Sequence, residues 1–262
     1  MDFTGKQAVI TGGANGIGRC IAEYFLKANA YVTIIDTDYE AGMDLVRKQP
    51  KDSVLAFIEG DITDSDIIDT YVSTRVYEPT HFVINNACIS RKGLLSNCTR
   101  EDFDYVQRVG VTAPYYLVSS LVKANALAEG ASIVNIVSTR ANQSQADTES
   151  YSAAKGGILA LTHAMSISLA GKARVNAISP GWIDVADYHH SNRTPANHSK
   201  QDKTQHPVGR VGKPEDIAEI VMFLCDNSRA GFITGENIVI DGGMSKLMVY
   251  HGDRGWNYRN ST

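Results

Sequence analysis

The chain has 262 residues, 43% of them hydrophobic, with a net charge of −4. That length suits a single α/β domain, and that apolar content builds a large core without disulfides or a structural metal. No stretch gathers Lys and Arg into a dense patch, which argues against nucleic acid or an anionic membrane as the main partner.

Cys20, Cys88, Cys98 and Cys225 form no CxxC pair and have no His at metal-ligand spacing. They read as reduced thiols of a cytoplasmic protein. Met1 to Lys6 runs directly into an apolar strand without the core of a signal peptide. The longest apolar runs are too short to span a bilayer.

Strand-like and helix-like segments alternate along the chain. Ala8 to Ile10 predicts a strand that ends in the glycine cluster Gly12 to Gly18. A helix follows, with Ile17, Ile21, Ala22, Phe25 and Leu26 on one face. The next strand, Tyr31 to Ile35, stops at Asp36. Further strands are expected at Val54 to Ile58, Phe82 to Asn85, Ser132 to Val137, Arg174 to Ile178 and Asn237 to Ile240. Short, nearly all-apolar strands between helices predict a parallel sheet covered on both faces. Asp184 to His206 is the one long polar stretch and reads as a mobile loop or a helical lid.

Thr11-Gly12-Gly13-Ala14-Asn15-Gly16-Ile17-Gly18 joins the first strand to the first helix. Glycines let a pyrophosphate approach the backbone, and the helix N-terminus offers it free N–H groups. The spacing differs from Gly-x-Gly-x-x-Gly, and alone it also fits an ordinary glycine-rich turn. Asp36 ends the second strand, where a carboxylate can accept from ribose hydroxyls and would repel a 2′-phosphate. With Asn15 and Thr37 uncharged, this favours NAD over NADP. Asp36 also suits a helix N-cap.

Tyr151-Ser152-Ala153-Ala154-Lys155 starts a strongly helical run, so Tyr151 and Lys155 share a face. Ser138 closes the strand before it, at a strand end that opens onto the ligand crevice. A tyrosine titrates near ~10, and bringing its phenolate to neutrality asks for roughly 4 kcal/mol of differential stabilisation. A cation one turn away and an oxidised nicotinamide would favour that phenolate. Tyr151 then reads as the general acid/base, with Ser138 bonding the substrate oxygen and Lys155 also reaching the nicotinamide ribose. Tyr-x-x-x-Lys alone is a common surface pair. Ser152 to Lys155 also matches the Ser-x-x-Lys of serine acylases, but the partner tripeptides Ser-Asp-Asn and Lys-Thr-Gly are absent.

Together these segments resemble the short-chain dehydrogenase/reductase family over essentially the full length. The glycine motif matches that family's Thr-Gly-x-x-x-Gly-x-Gly, Asp61-Ile62 its adenine-contacting segment, and Asn85-Asn86-Ala87 its Asn-Asn-Ala-Gly. Ser138, Tyr151 and Lys155 match its catalytic residues. Pro180-Gly181-Trp182-Ile183 matches the turn that closes over the nicotinamide. Thr234-Gly235 and Asp241-Gly242-Gly243 match its C-terminal signature. The resemblance implies one Rossmann-like domain with a doubly wound seven-stranded parallel sheet. It also implies a homo-oligomer, usually a tetramer, built on helices near Glu101 to Glu129 and Tyr151 to Ala170.

Two positions depart from the pattern. Cys88 replaces the last glycine of Asn-Asn-Ala-Gly, near the expected nicotinamide ribose, and reads as a tolerated small residue rather than a redox centre. Gly110 stands at the family's catalytic asparagine, which normally holds a water that relays protons to the lysine. Its loss leaves two readings: a slowed enzyme, or a relay through ordered water and backbone carbonyls. It also gives footing to a competing class, a dinucleotide-binding sensor or scaffold.

The expected lid carries His189, His190, His198 and His206, and its polarity points to a small polar alcohol, sugar or hydroxy acid. No His-Glu-x-x-His or comparable metal motif accompanies them. Arg140 reads either as a partner for an acidic substrate or as a surface residue. Trp256 and Tyr258, in the tail 250–262, are candidates to dock on a neighbouring subunit.

Overall fold

The computed structural model describes residues 1–50, 53–191, 194, 196–248, 250 and 252–253. All seven expected apolar segments are strands: β1 Gln7–Thr11, β2 Tyr31–Asp36, β3 Leu55–Glu59, β4 Thr80–Asn85, β5 Leu127–Ile136, β6 Ala173–Pro180 and β7 Asn237–Ile240. They form one sheet in the order β3-β2-β1-β4-β5-β6-β7, with every neighbouring pair parallel. This is a doubly wound Rossmann-like sheet. The order reverses between β1 and β4, so the crevice for a ligand opens at the C-terminal ends of these strands.

Helices cover both faces. On one face α1, Gly16–Lys27, packs with α8, Pro214–Cys225. Phe3, Phe25 and Phe82 meet there with ring centroids 4.6–5.7 Å apart. The other face carries α3, Ser65–Ser73, α5, Ala113–Lys123, and α6, Glu149–Ser168. Its core includes Tyr71, Leu117, Leu121 and Met165. The remaining helices named here are α2, Tyr39–Lys48, α4, Arg100–Gln107, and the short α7, Lys200–Thr204.

Two boundaries differ from the sequence reading. The helix expected through Glu129 ends at Lys123, and β5 begins at Leu127, five residues early. Gly130 at φ +69° and a register shift against β4 break the apolar alternation there, which hides the strand start. Between α4 and α5 the helix also widens into a π-turn at Arg108–Thr112, around Gly110. Such turns gather at functional sites.

A buried polar chain pins α6 to the sheet. The Asn85 amide donates to Asn135 Oδ1 at 2.7 Å, and the Asn135 amide donates to Thr162 Oγ1 at 2.9 Å. Thr162 in turn donates to the Ile158 carbonyl. Low local dielectric makes such a chain strong when complete and costly when broken. Asn135→Ala strands both neighbours, so urea unfolding is expected to show a loss of about 2–4 kcal/mol. A loss under about 0.5 kcal/mol, the range of ordinary surface changes, would contradict this role.

Candidate active site

The first turn after β1 is shaped by close approaches that only glycine permits. Gly12 has φ +64°, and a Cβ there would lie 2.9 Å from Ala87 Cα. A Cβ on Gly18 would overlap the Gly12 carbonyl, so α1 starts directly against the strand end. Asn86 closes this cradle from β4, donating to the Gly12 carbonyl at 2.9 Å and the Thr11 carbonyl at 3.1 Å. Gly16, at φ +59°, opens the first turn of α1. The cradle fits a dinucleotide pyrophosphate: bare backbone, a helix N-terminus and no acidic residue in the first helical turn.

Asp36 is held at the end of β2 by two backbone donors, Ala14 N at 2.9 Å and Asp38 N at 3.1 Å. It is therefore a fixed acceptor and not the N-cap of α2. Asp38 has that role, accepting from Ala41 N at 3.0 Å. The Ala41 N–H, with help from Asn15, holds the Asp38 carboxyl below its ordinary range. Asp36 and Asp38 thus place two carboxylates at the end of β2. Asn15 bridges Asp38 to the chain after β6: its amide donates to Asp38 Oδ2 at 2.8 Å, and its oxygen accepts from His190 N at 2.9 Å.

A cleft of about 900 Å³ lies beside the cradle. Ser138, Tyr151 and Lys155 line one wall, with Ile17, Asn86 and Cys88 near the cradle side. Pro180, Gly181 and Ile183 line it from the end of β6. Gly181 approaches Asp241 closely: a Cβ there would lie 2.7 Å from Asp241 Cβ. Asp241 caps the turn after β7 through Gly243 N and Ser245 N. Asp61 and Ile62 stand outside this cleft. Asp61 accepts from the Tyr105 hydroxyl at 2.6 Å, and Ile62 is buried.

Lys155 is 3% exposed, and its ammonium donates to the Ile136 carbonyl at 2.7 Å. It lies 5.5 Å from the centre of the Tyr151 ring. The sequence reading draws on both this ammonium and an oxidised nicotinamide to favour the phenolate; in the protein alone the ammonium does not suffice. Burial raises the Tyr151 phenol above its ordinary range, and the Cys88 thiol beside it adds to the rise. The Ser138 hydroxyl and the Arg140 guanidinium oppose this without cancelling it. Desolvation wins because a phenolate taken out of water loses hydration that Ser138 and Arg140 replace only in part.

The segment 184–206 also departs from a simple lid. Its first part docks against α1, the Tyr188 hydroxyl donating to Glu215 on α8 at 3.0 Å and His190 Nδ1 lying 3.6 Å from Asp44 on α2. His198 sits 3.1 Å from Asp184 and edge-on to Trp182. His206 is buried and donates to the Asp202 carbonyl. None of the four imidazoles lines the cleft; among the described residues the segment contributes Val185 and Gln205. Trp256 and Tyr258 lie outside the described residues.

Sequence reasoning missed Gln143, Ser144 and Gln145, which also line the cleft. Their position directly after the Ser138 strand was the available signal. Gly110 is explained by packing. A Cβ there would lie 2.9 Å from the Ala154 Cβ on α6, so Gly110→Asn introduces a clash along with any side-chain function. Overpacking costs about 1–3 kcal/mol, against ~1 kcal/mol of helix propensity gained on leaving glycine. Gly110→Ala is therefore expected to lose stability overall. In a urea-unfolding cycle with Ala154→Gly, the double variant should be less impaired than the summed singles by about 1 kcal/mol or more. Strict additivity would contradict the contact.

Comparison with known proteins agrees with this architecture. The sequence profile described as enoyl-(acyl carrier protein) reductase matches residues 12–245. An uncharacterized oxidoreductase of Thermotoga maritima is 39% identical over 257 residues, covering 94% of this chain and 98% of that protein. A 3-oxoacyl-[acyl-carrier-protein] reductase of Chlamydia pneumoniae is 30% identical over 253 residues, covering 94% and 100%. The solved structure of an apo SCOR enzyme from Clostridium thermocellum superposes with a TM-score of 0.84 at 40% identity, covering 98% of this chain and 99% of that one. The chain belongs to the short-chain dehydrogenase/reductase family of oxidoreductases.

Proposed function

We propose that the protein is an NAD-dependent oxidoreductase that interconverts a secondary alcohol and a carbonyl on a small polar substrate. The convergence of Ser138, Tyr151 and Lys155 on one cleft wall beside the glycine cradle carries this reading. A nicotinamide dinucleotide, when bound, supplies the hydride acceptor or donor. Gly12, Asn15, Gly16, Ile17 and Gly18 would hold its pyrophosphate side. Asp36, with Asp61 and Ile62, would hold the adenosine, and Asn86, Ala87, Cys88, Pro180, Gly181 and Ile183 would hold the nicotinamide half.

The remaining chemistry belongs to the chain. On oxidation the carbinol C–H leaves as hydride with its electron pair, and the O–H proton passes to the Tyr151 oxygen; reduction reverses both. Ser138 donates a hydrogen bond to the substrate oxygen as charge develops there. Lys155, fixed by Ile136, places a positive charge behind the phenol. NAD is favoured because Asp36 and Asp38 put two carboxylates at the end of β2, where a 2′-phosphate would meet like charge, and Asn15 is neutral. The four free cysteines support a cytoplasmic setting. Exposed Tyr115, Val122 and Ile167 on α5 and α6 support a homo-oligomer through these helices.

A panel of polar alcohols and their carbonyl counterparts, run with NAD and NADP, tests the reading through the reduced-nicotinamide absorbance. Turnover with NAD is expected to exceed that with NADP, and Tyr151→Phe is expected to lower kcat by about 100-fold or more. Asp36→Ala should narrow the NAD preference. Tight NAD binding without turnover of any substrate would favour the sensor reading, and binding of neither nucleotide would remove both.

A further inference from the structure

The cleft has an electrostatic character that the whole chain lacks. The protein carries a net charge of −4, yet among the described residues the only charged side chains lining the cleft are Arg140 and Lys155, both cationic. Lys155 is buried and committed to the Ile136 carbonyl. Arg140 is half-buried and its guanidinium meets only a neutral partner, donating to the Gln145 side-chain oxygen. Among the described residues no carboxylate lies within ion-pair distance of it.

Its position relative to the reacting residues is set by local structure. Ser138 caps the 3-10 turn Thr139–Ala141, accepting from Arg140 N at 3.1 Å. Residues two apart lie within about 7 Å of each other along the backbone. The guanidinium also shares the cleft with Tyr151 and favours its ionised form. Neutral amides, Gln143, Gln145 and Gln205, complete the polar wall.

We propose that the substrate is a short hydroxy acid and its oxo-acid partner, held by a carboxylate that pairs with Arg140. This rests on the oxidoreductase reading above and names its substrate class. A guanidinium has five donors in a planar fork that matches a carboxylate, and one donor spent on Gln145 leaves enough for a bidentate pair. A partly desolvated cation with no anionic partner is stabilised by an incoming anion more than an exposed one would be. One available cation balances a carboxylate monoanion, whereas a phosphate dianion would stay undercompensated. With Ser138 and Tyr151 fixing the carbinol, the carboxylate belongs one or two carbons away.

The test uses the full chain loaded with NAD. Short 2- and 3-hydroxy acids are compared with their methyl esters, with neutral diols and with phosphorylated alcohols. The free acids are expected to exceed their esters in kcat/KM by about 10–100-fold, the range for hydrogen bonds to charged groups. Arg140→Met should collapse that ratio toward one, mainly through KM, and Arg140→Lys should recover part of it. Binding of butyrate to the NAD complex, followed by calorimetry, should weaken in parallel. Neutral alcohols or phosphorylated alcohols outperforming the acids would overturn the carboxylate assignment while leaving the oxidoreductase standing. An acid-to-ester ratio unchanged in Arg140→Met would do the same. Failure of every substrate with either nucleotide would instead defeat the oxidoreductase reading, and the substrate class with it.

Discussion

The hydrogen bond from the Lys155 ammonium to the Ile136 carbonyl is the constraint from which the site follows. A buried ammonium is costly unless it is bonded, so this contact ties the first turns of α6 to the end of β5. The buried chain Asn85–Asn135–Thr162 ties the same two elements lower down. Between them they set the height of α6 on the sheet. That height places the Tyr151 phenol on the same wall as Ser138.

The cradle for the dinucleotide is built by a different means, close backbone approach without side chains. Gly18 against the Gly12 carbonyl and Asn86 across the Gly12 carbonyl bring α1, β1 and β4 together at the reversal of strand order. The same reversal leaves the cleft open above β5 and β6. Its charge is set by residues just past those strands. Two carboxylates stand at the end of β2 and two cations in the cleft, so the charges of the two regions are opposed.

Much of this was legible in the chain because the signals are local. Each strand is a short apolar run stopped by a turn, and the glycine motif sits where a strand meets a helix. Tyr151 and Lys155 share a face because 3.6 residues make a turn. What stayed hidden depends on tertiary contact. The early start of β5 is masked by Glu129-Gly130, and the π-turn at Gly110 answers to Ala154 on another helix. The four imidazoles look like a substrate lid in sequence, yet in the fold His189 meets Ser191, His190 meets Asp44, His198 meets Asp184 and Trp182, and His206 meets the Asp202 carbonyl. The phenol was read from two cations, the Lys155 ammonium and an oxidised nicotinamide. Its burial, which no spacing reveals, moves it the other way.

That reversal makes the state of Tyr151 the point on which the account turns. The raised phenol is protonated through neutral pH in the protein alone, and an added positive charge in the cleft would bring its ionisation down. The direct measurement is an ultraviolet titration of phenolate, wild type minus Tyr151→Phe, with and without oxidised NAD. The account predicts a midpoint above the ordinary tyrosine value of ~10 for the free protein, and a clear fall when NAD is bound. A midpoint at the ordinary value in the free protein, or one that NAD leaves unmoved, would contradict it.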